Sequence, residues 1–136
     1  MKNHHLKKLR FNRYTEKSGE LIPFYTKSFK KLKFKIERFF FLFGKKKYIR
    51  ADHAHKKCAQ IIIPIKGKVK VTTFKDKKKK VFILSRFKKE SLLIPTYTWI
   101  KINFFKNDDC LLTLCSYKYD KKEYINSFDE FKKKYY

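Results

Sequence analysis

Short stretches rich in β-branched and aromatic residues, separated by turn signals, recur along most of the chain and limit the folds it can adopt. Beyond residue 57 they read CAQIIIPIKGKVKVTTF, VFILS, SLLIP, TWIKINFF and CLLTLCSY. Gly67 divides the first of them into two strands, and the charged residues 76–80 form a hairpin tip. Turn signals about every 8–12 residues are typical of an all-β sandwich or barrel. Upstream, apolar and charged residues alternate over 32–37 of LKFKIERFFFLFG, which predicts one more strand that is ended by Gly44.

Only the C-terminal end of the chain carries a helical pattern. Ser127 and Glu130 have the spacing of a capping box, in which a hydroxyl caps the first turn. Three aromatic residues then fall on one helical face, at steps of three and four residues: Phe128, Phe131 and Tyr135. We therefore predict a short helix over residues 127–135 that packs its aromatic side on the sheets.

The length and the charge bound the class of protein. A chain of 136 residues fits one domain, and we treat 1–136 as such. Residues 1–30 would form an N-terminal arm of edge strands, which two subunits of a dimer could exchange. The formal net charge is +25, from 37 Lys and Arg against 12 Asp and Glu. Few of these are arginine, the residue best suited to nucleic-acid recognition. Lys, Phe, Tyr, Ile and Asn are favoured by A+T-rich genomes, so we interpret the lysine excess as coding bias and expect no nucleic-acid partner.

Membrane insertion and a disulfide framework are both disfavoured. The longest apolar run, FFFLF at residues 39–43, is far too short to span a bilayer. The N-terminal MKNHHLKKLRFNRY lacks the apolar core of a signal peptide. Three cysteines without a Cys-x-x-Cys pair, Cys58, Cys110 and Cys115, indicate buried reduced thiols. We expect a cytoplasmic protein with no membrane partner.

The residues best suited to chemistry lie in YIRADHAHKKCAQ, residues 48–60. His53 and His55 stand two apart, so on a strand their rings project from the same side of the sheet. The spacing alone leaves three interpretations open: a solvent-facing pair, a metal site, or two catalytic bases. Neighbouring polar rings inside a β-sandwich are unfavourable unless they have partners or a function.

The residues around this pair decide between the interpretations. His-x-His-x4-Gln-x6-Gly, from His53 to Gly67, resembles the first motif of the cupin superfamily, and IPTYTWI at 94–100 resembles the second. Where cupins commonly place a Glu and a third metal-binding His, this chain has Gln60 and Ile100. Catalytic metal sites normally bring three protein ligands, so we expect no metal. Metal-free imidazoles titrate near about pH 6.5 and suit general base and acid work.

A closer resemblance covers most of the chain. IERFFFLFG, RADHAHKKCAQ, IPTYTWI and SYKYDKKEYINSFDEF follow, in order, the pattern of the nucleotide-sugar 3,4-ketoisomerases. These are metal-independent cupins that act on dTDP-4-keto-6-deoxyhexoses. The resemblance implies a small cupin-type jelly-roll barrel and a homodimer. It also implies an isomerase that moves the keto group from C4 to C3 through an enediol or enediolate, without a cofactor. The product would supply a 3-amino-3,6-dideoxy sugar for a bacterial surface glycan such as the O-antigen of lipopolysaccharide.

The resemblance also implies roles for particular residues. His53 is the expected base and His55 the second proton carrier, while Arg50 would stabilise an oxyanion or bind a phosphate. Arg38 is expected to bind the diphosphate, with a salt bridge at the strand edge as the alternative. Further substrate-binding candidates are Tyr48, Gln60, Tyr97, Trp99 and Asn103.

Two departures from the family pattern bear on the chemistry. Relatives often carry tyrosines just after the arginine of the early strand, where this chain has Phe39, Phe40 and Phe41. Either the hydroxyl is dispensable or Tyr48 or Tyr97 supplies one. The glycine usual after Arg50 is Ala51, a harmless change unless φ is positive there.

Two rival functions remain open at this point. One is a cupin that binds a metal through His53, His55 and either His4 or His5. The other is a basic nucleic-acid-binding module, whose affinity would depend strongly on salt. The sequence also leaves open whether the product has the gluco or the galacto configuration at C4.

Overall fold

The computed structural model describes residues 4–136, many of which belong to short antiparallel strands. The first half of the chain forms β1 (Lys7–Arg10), β2 (Tyr14–Glu16), β3 (Gly19–Leu21), α1 (Thr26–Lys31), β4 (Arg38–Phe43), β5 (Ile49–His55) and β6 (Gln60–Lys66). The second half forms β7 (Lys68–Lys75), β8 (Lys78–Ser85), β9 (Glu90–Ile94), β10 (Trp99–Phe104), β11 (Cys110–Cys115), β12 (Tyr124–Ile125) and α2 (Phe128–Tyr135). Short 3-10 turns lie at Arg86–Lys88 and Lys121–Glu123.

Two five-stranded antiparallel sheets face each other across the core. The first has the order β1-β9-β6-β11-β4 and the second β12-β5-β10-β7-β8, while β2 and β3 form a separate hairpin. Strands that follow one another in the chain therefore often lie in opposite sheets, as in a jelly roll. The predicted all-β jelly-roll architecture is confirmed, with the sheets packed as a sandwich and not closed into one continuous barrel. None of the helices formed by residues 4–136 is long and apolar enough to cross a bilayer.

The inner faces of the two sheets form one apolar core. Its fully buried members include Ile62, Leu92 and Leu111 from the first sheet and Val71, Leu84 and Ile102 from the second. Burial of each such side chain stabilises the fold by about 1.5–3 kcal/mol. The strands predicted after residue 57 are all present, and Gly67 joins β6 to β7 at a φ of 74°. The three cysteines are buried free thiols, as predicted.

The strand predicted before Gly44 is present only over Arg38–Phe43, and residues 32–37, which carry the alternation, lie outside it. Helix α1 ends just before them, and Lys33 then adopts a positive φ of 53°. The alternating pattern has another cause, because Phe34 is buried with Phe29 in an apolar cluster on the outer face of the first sheet. A loop that buries one aromatic side chain can imitate the period of a strand.

The N-terminal arm covers part of the outer face of the first sheet. Strand β1 pairs with β9 of the same chain, from Lys7 opposite Leu93 to Arg10 opposite Glu90. Residues 1–3 of the predicted arm lie outside the described residues, and exchange of the arm in a dimer stays a prediction. The cover ends before β4, whose outward side chains Phe39, Phe41 and Phe43 are exposed.

The predicted C-terminal helix is confirmed. The Ser127 hydroxyl accepts a hydrogen bond from the Glu130 amide at 3.2 Å and caps the first turn of α2. Phe131 is fully buried, and its ring and that of Phe128 contact the indole of Trp99. Helix α2 thus holds the C-terminal segment against the second sheet.

Strand β5 contains a bulge directly before the first histidine. His53 lies opposite Ile100 and Ala51 opposite Lys101, so Asp52 is the extra residue. Ala51 and Asp52 both have left-handed backbones, with φ of 64° and 58°. Asp52 tolerates this conformation better than most residues, and its carboxylate accepts a hydrogen bond from the Trp99 indole at 3.1 Å. The alanine in place of the family's usual glycine is therefore strained.

We predict that Ala51→Gly raises the free energy of unfolding by about 0.5–1 kcal/mol. The left-handed backbone destabilises a non-glycine residue by roughly 1–2 kcal/mol, and the flexibility of glycine in the unfolded chain offsets part of that gain. Urea denaturation measures the change. Ala54→Gly, in the same strand at a fully buried alanine, is the matched control and should destabilise the protein. Equal losses in both variants would contradict the strain at Ala51.

Candidate functional site

A cavity of about 230 Å³ opens between the two sheets beside the histidine pair. Both sheets and the C-terminal segment contribute to its wall. The first sheet supplies Arg38, Phe40, Leu42, Gln60, Ile62 and Thr113; the second supplies Arg50, Ala51, His53, Ile100 and Ile102; Tyr119 and Tyr124 close one side. The wall is mostly apolar. Its basic side chains are Arg38, Arg50 and His53.

The two histidine rings contact each other at the edge of this cavity. Their centroids lie 4.7 Å apart with the ring planes nearly perpendicular. The Nε2 atoms of His53 and His55 are 3.1 Å apart, within hydrogen-bond distance. His53 lines the cavity, whereas His55 is buried behind it. The bulge at Asp52 sets this arrangement, because it fixes which residues of β5 face inward.

A buried carboxylate holds the second histidine. Glu123 is almost fully buried and accepts a hydrogen bond from Nδ1 of His55 at 2.5 Å. Its other oxygen accepts the amides of Lys57 and Cys58 at 3.0 and 3.3 Å. Burial by itself would raise the pKa of Glu123, but these three bonds outweigh it and hold that pKa below its ordinary value. The carboxylate is therefore ionised, and both of its oxygens accept hydrogen bonds.

Two hydrogen bonds determine which ring nitrogen of each histidine carries a proton. The carbonyl of Ala51 can only accept, so Nδ1 of His53, 3.0 Å away, carries a proton. The carboxylate of Glu123 likewise requires a proton on Nδ1 of His55. Both Nδ1 atoms are therefore bound to acceptors, and the two Nε2 atoms are left facing each other at 3.1 Å.

Arg38 and Tyr124 meet in the same cavity. The Arg38 Nη2 atom donates to the Tyr124 hydroxyl at 3.5 Å, and its guanidinium lies over the rings of Phe40 and Tyr119. The Nε atom of Arg38 is shielded from solvent and has no hydrogen-bond partner among the described residues. A buried donor without a partner is unfavourable, which marks Arg38 as a group prepared for a ligand.

The structure brings five of the predicted site residues together. His53, Arg50, Arg38 and Gln60 line the cavity, and His55 stands directly behind. The four remaining candidates lie outside the lining. Tyr48 is 66% exposed, Tyr97 packs against Tyr135, Trp99 packs against α2, and Asn103 pairs with Ile49 and Lys70.

Two residues of the site were missed from the sequence. Glu123 and Tyr124 come from the segment that carries the family resemblance, and strand β12 places them beside His55. The matching Glu-Tyr-Ile was the available signal, but nothing local shows that a glutamate 68 residues away meets His55.

One group of donors has the spacing of a metal site. Within the described part of the chain, His55, Cys58 and Glu123 offer ligand atoms that all lie within 4.8 Å of one another. Two ligands of a tetrahedral zinc, each at about 2.0–2.2 Å, stand roughly 3.3 Å apart. The His55 and Glu123 atoms are 2.5 Å apart, which is the distance of a direct hydrogen bond and too short for two ligands of one zinc ion. On the cavity side, the lining holds no Cys, Asp or Glu, and His4 and His5 do not reach it.

The geometry is that of an acid–base site in a jelly-roll sandwich, with two imidazoles, a buried carboxylate and two arginines around a small cavity. Residues 2–136 match the family model described as FdtA: WxcM-like, C-terminal, and the chain belongs to this family.

Similar proteins and solved structures support membership of this family. The chain is 26% identical over 132 residues to the TDP-4-oxo-6-deoxy-alpha-D-glucose-3,4-oxoisomerase of Aneurinibacillus thermoaerophilus, covering 93% of this chain and 90% of that protein. The crystal structure of a 3,4-ketoisomerase from Helicobacter canadensis is 29% identical, with a TM-score of 0.84 over 95% of this chain and 96% of that one. A mutant 3,4-ketoisomerase from Thermoanaerobacterium thermosaccharolyticum, solved with TDP-4-keto-6-deoxyglucose, is 27% identical, with a TM-score of 0.83 over 93% and 90%.

We predict that His53 titrates far below an ordinary imidazole. Burial and, to a smaller extent, the neighbouring His55 lower the pKa of His53 to about 4. The ring should stay neutral at its cavity-facing position throughout the neutral range. Proton NMR of the imidazole Cε1 hydrogens against pH, assigned with His53→Asn, measures the midpoint. A midpoint at or above the unperturbed value of about 6.5 would contradict the burial of this ring.

Proposed function

We propose that this protein is a TDP-sugar 3,4-ketoisomerase, which moves the keto group of a TDP-4-keto-6-deoxyhexose from C4 to C3. The observation that carries the proposal is the 3.1 Å contact between the Nε2 atoms of His53 and His55 beside a small cavity. The names of the relatives support it, because they describe the same reaction and, in one structure, the same substrate.

The histidine pair has the equipment that this isomerisation needs. The reaction removes a proton from C3 and delivers one to C4 by way of an enediol or enediolate. Two Nε2 atoms 3.1 Å apart beside the cavity allow a proton to be taken from one carbon and returned to the next. His53 faces the cavity and acts as the base. Glu123 is a positioning residue that fixes the orientation of the His55 ring.

The two arginines bind different parts of the substrate. A cavity of about 230 Å³ is smaller than the ~300–1,000 Å³ of most ligand pockets, so it fits the sugar ring and leaves the nucleotide outside. Arg50 is exposed at the rim of the cavity, where its fork can bind the diphosphate. Arg38 is half-buried with a free Nε–H, which suits a negative charge developing on the sugar.

The two rival functions fit the site less well. A cupin metal site would need a third ligand on the Nε2 side of the histidines, and the cavity lining offers only the neutral Gln60 and phenols there. A nucleic-acid module gives no reason for a buried Glu123 bonded to His55. The lysine excess is spread over the surface, and both cavity cations are arginine.

The wider biological role follows from the chemistry of the product. A 3-keto sugar is the form that an aminotransferase can convert into a 3-amino-3,6-dideoxy sugar, and we propose that this sugar enters a bacterial surface glycan. A cytoplasmic location agrees with the three buried free thiols. The configuration at C4 of the product is to be read by NMR of the reaction mixture.

We predict that His53→Asn lowers kcat by at least about 10²–10⁴-fold, since a positioned acid–base group contributes that much. The variant should keep the fold and bind TDP, because asparagine fills similar space and the nucleotide lies outside the cavity. His5→Asn, at an exposed histidine outside the site, is the matched control and should retain full turnover.

Heavy water tests the same step in the wild-type enzyme. Deuterium should enter C4 of the product when the enzyme turns over TDP-4-keto-6-deoxyglucose in deuterium oxide. A wild type that converts no substrate, or a His53→Asn variant with wild-type kcat, would overturn the proposed role.

We further propose a homodimer formed through the outward face of β4. Phe39, Phe41 and Phe43 are exposed by 63%, 55% and 65% and continue the apolar outer face of the first sheet past the N-terminal cover. A fully buried phenylalanine buries about 150–250 Å², so the exposed parts of these three supply roughly 270–460 Å², which is a third to a half of the ~800 Å² per partner of a standard interface. A second copy of the chain offers the matching apolar strip about a twofold axis.

The oligomeric state tests this surface. Phe41→Asp should shift the protein from dimer to monomer in size-exclusion chromatography with light scattering, because it places a charge at the centre of the strip. Val81→Asp, at a similarly exposed apolar residue on β8, is the control and should leave the dimer intact. A wild type that is monomeric at high concentration would contradict the proposal.

A further inference from the structure

We infer that Tyr124 is the proton donor to the keto oxygen of the substrate and that Arg38 stabilises its phenolate. The inference rests on the proposed isomerase activity and names a catalytic residue for it. The sequence leaves two possibilities, that the hydroxyl is dispensable or that Tyr48 or Tyr97 supplies it. Both of these tyrosines lie outside the cavity, and Tyr124 stands inside it.

Tyr124 is placed by the backbone and contacts both imidazoles. It lies opposite His55 in the β12–β5 pair, and its ring centroid is 5.0 Å from that of His53 and 4.4 Å from that of His55. Among the described tyrosines, it is the one whose ring contacts both histidines. The hydroxyl therefore reaches the same small volume as the base.

The proton of the Tyr124 hydroxyl is free to serve a ligand. The Arg38 guanidinium has donors and no acceptor, so the phenol oxygen accepts in their 3.5 Å contact. That leaves the O–H available, and residues 4–136 provide no acceptor for it at hydrogen-bond distance. Burial raises the pKa of Tyr124, while Arg38 acts in the opposite direction. The phenol is thus protonated before reaction, and the phenolate has a cation beside it afterwards.

The other lining groups cannot do this work. Phe40 occupies the inward face of β4 next to Arg38 and has no hydroxyl. The side-chain amide of Gln60 faces the Cys115 thiol at 3.8 Å, and an amide is a poor acid. The guanidinium groups of Arg38 and Arg50 do not release protons in proteins. Tyr119 contacts Tyr124 and Arg38, but its side chain is 65% exposed.

The resulting steps balance in atoms and charge. In the first, His53 takes the C3 hydrogen as a proton, the C3–H electron pair forms the C3–C4 double bond, and the keto oxygen at C4 takes the Tyr124 proton. This gives an enediol, a protonated His53 and a phenolate beside Arg38. In the second, the phenolate takes the proton from the C3 hydroxyl, a C3 carbonyl forms, and C4 accepts the proton from the histidine pair. Both side chains return to their starting states.

Tyr124→Phe tests the assignment, because it keeps the aromatic contacts with His53 and His55 and removes only the hydroxyl. We expect kcat on TDP-4-keto-6-deoxyglucose to fall by about 10²–10⁴-fold, with TDP affinity and thermal stability unchanged. Tyr25→Phe is the matched control, at an exposed tyrosine outside the cavity, and should keep the activity. Turnover by Tyr124→Phe at the wild-type rate would overturn the assignment and leave the isomerase function standing. A wild type without isomerase activity would overturn both.

A second measurement separates a chemical role from a structural one. Site-specific 3,5-difluorotyrosine at position 124 keeps the hydroxyl but makes the phenol more acidic. The basic limb of the kcat–pH profile should move to lower pH if this phenol must be protonated for turnover. A profile whose basic limb does not move would overturn the assignment, even if Tyr124→Phe fails to fold.

Discussion

The bond between the Glu123 carboxylate and His55 organises the site and much of the molecule around it. Glu123 is buried, and it accepts three hydrogen bonds, one from the ring and two from the amides of the turn after β5. Removal of one partner of such a buried charged bond is strongly destabilising, because the other is left without solvation. The same bond ties the C-terminal segment to β5, fixes the tautomer of His55 and turns its Nε2 atom toward His53. The Glu123–His55 bond therefore both stabilises the fold and orients a catalytic side chain.

The bulge at Ala51 and Asp52 supplies the other half of the arrangement. It holds two consecutive residues in the left-handed region, and the Ala51 carbonyl that it reorients fixes the tautomer of His53. The Trp99 indole secures the bulge through Asp52, while its ring packs on helix α2. Strain near a site persists only where the surroundings over-determine it. Here one tryptophan links the strained strand to the helix that covers it.

The sequence predicts local patterns well and distant contacts poorly. The strands β6 to β11 and the cap at Ser127 follow from periodicity and turn chemistry, which depend on near neighbours. Helix α1 was missed because it is one and a half turns long and buries only Phe29. Glu123 reads as part of a charged turn until the fold brings it to His55, and Trp99 reads as a ligand contact until α2 covers it. The position of Tyr124 in the cavity could likewise not be predicted, because β12 has only two residues.

The order in which the parts of the site leave the ribosome has a consequence for its biogenesis. Both histidines emerge in the first half of the chain, whereas the carboxylate, the cavity phenol and the helix that clamps them belong to the final residues. A nascent chain can thus form most of both sheets while His53 and His55 still lack Glu123 and Tyr124 beside them. His55 acquires its carboxylate partner only when translation is finished, so a polypeptide cut short near its end is left as an almost complete sandwich without chemistry.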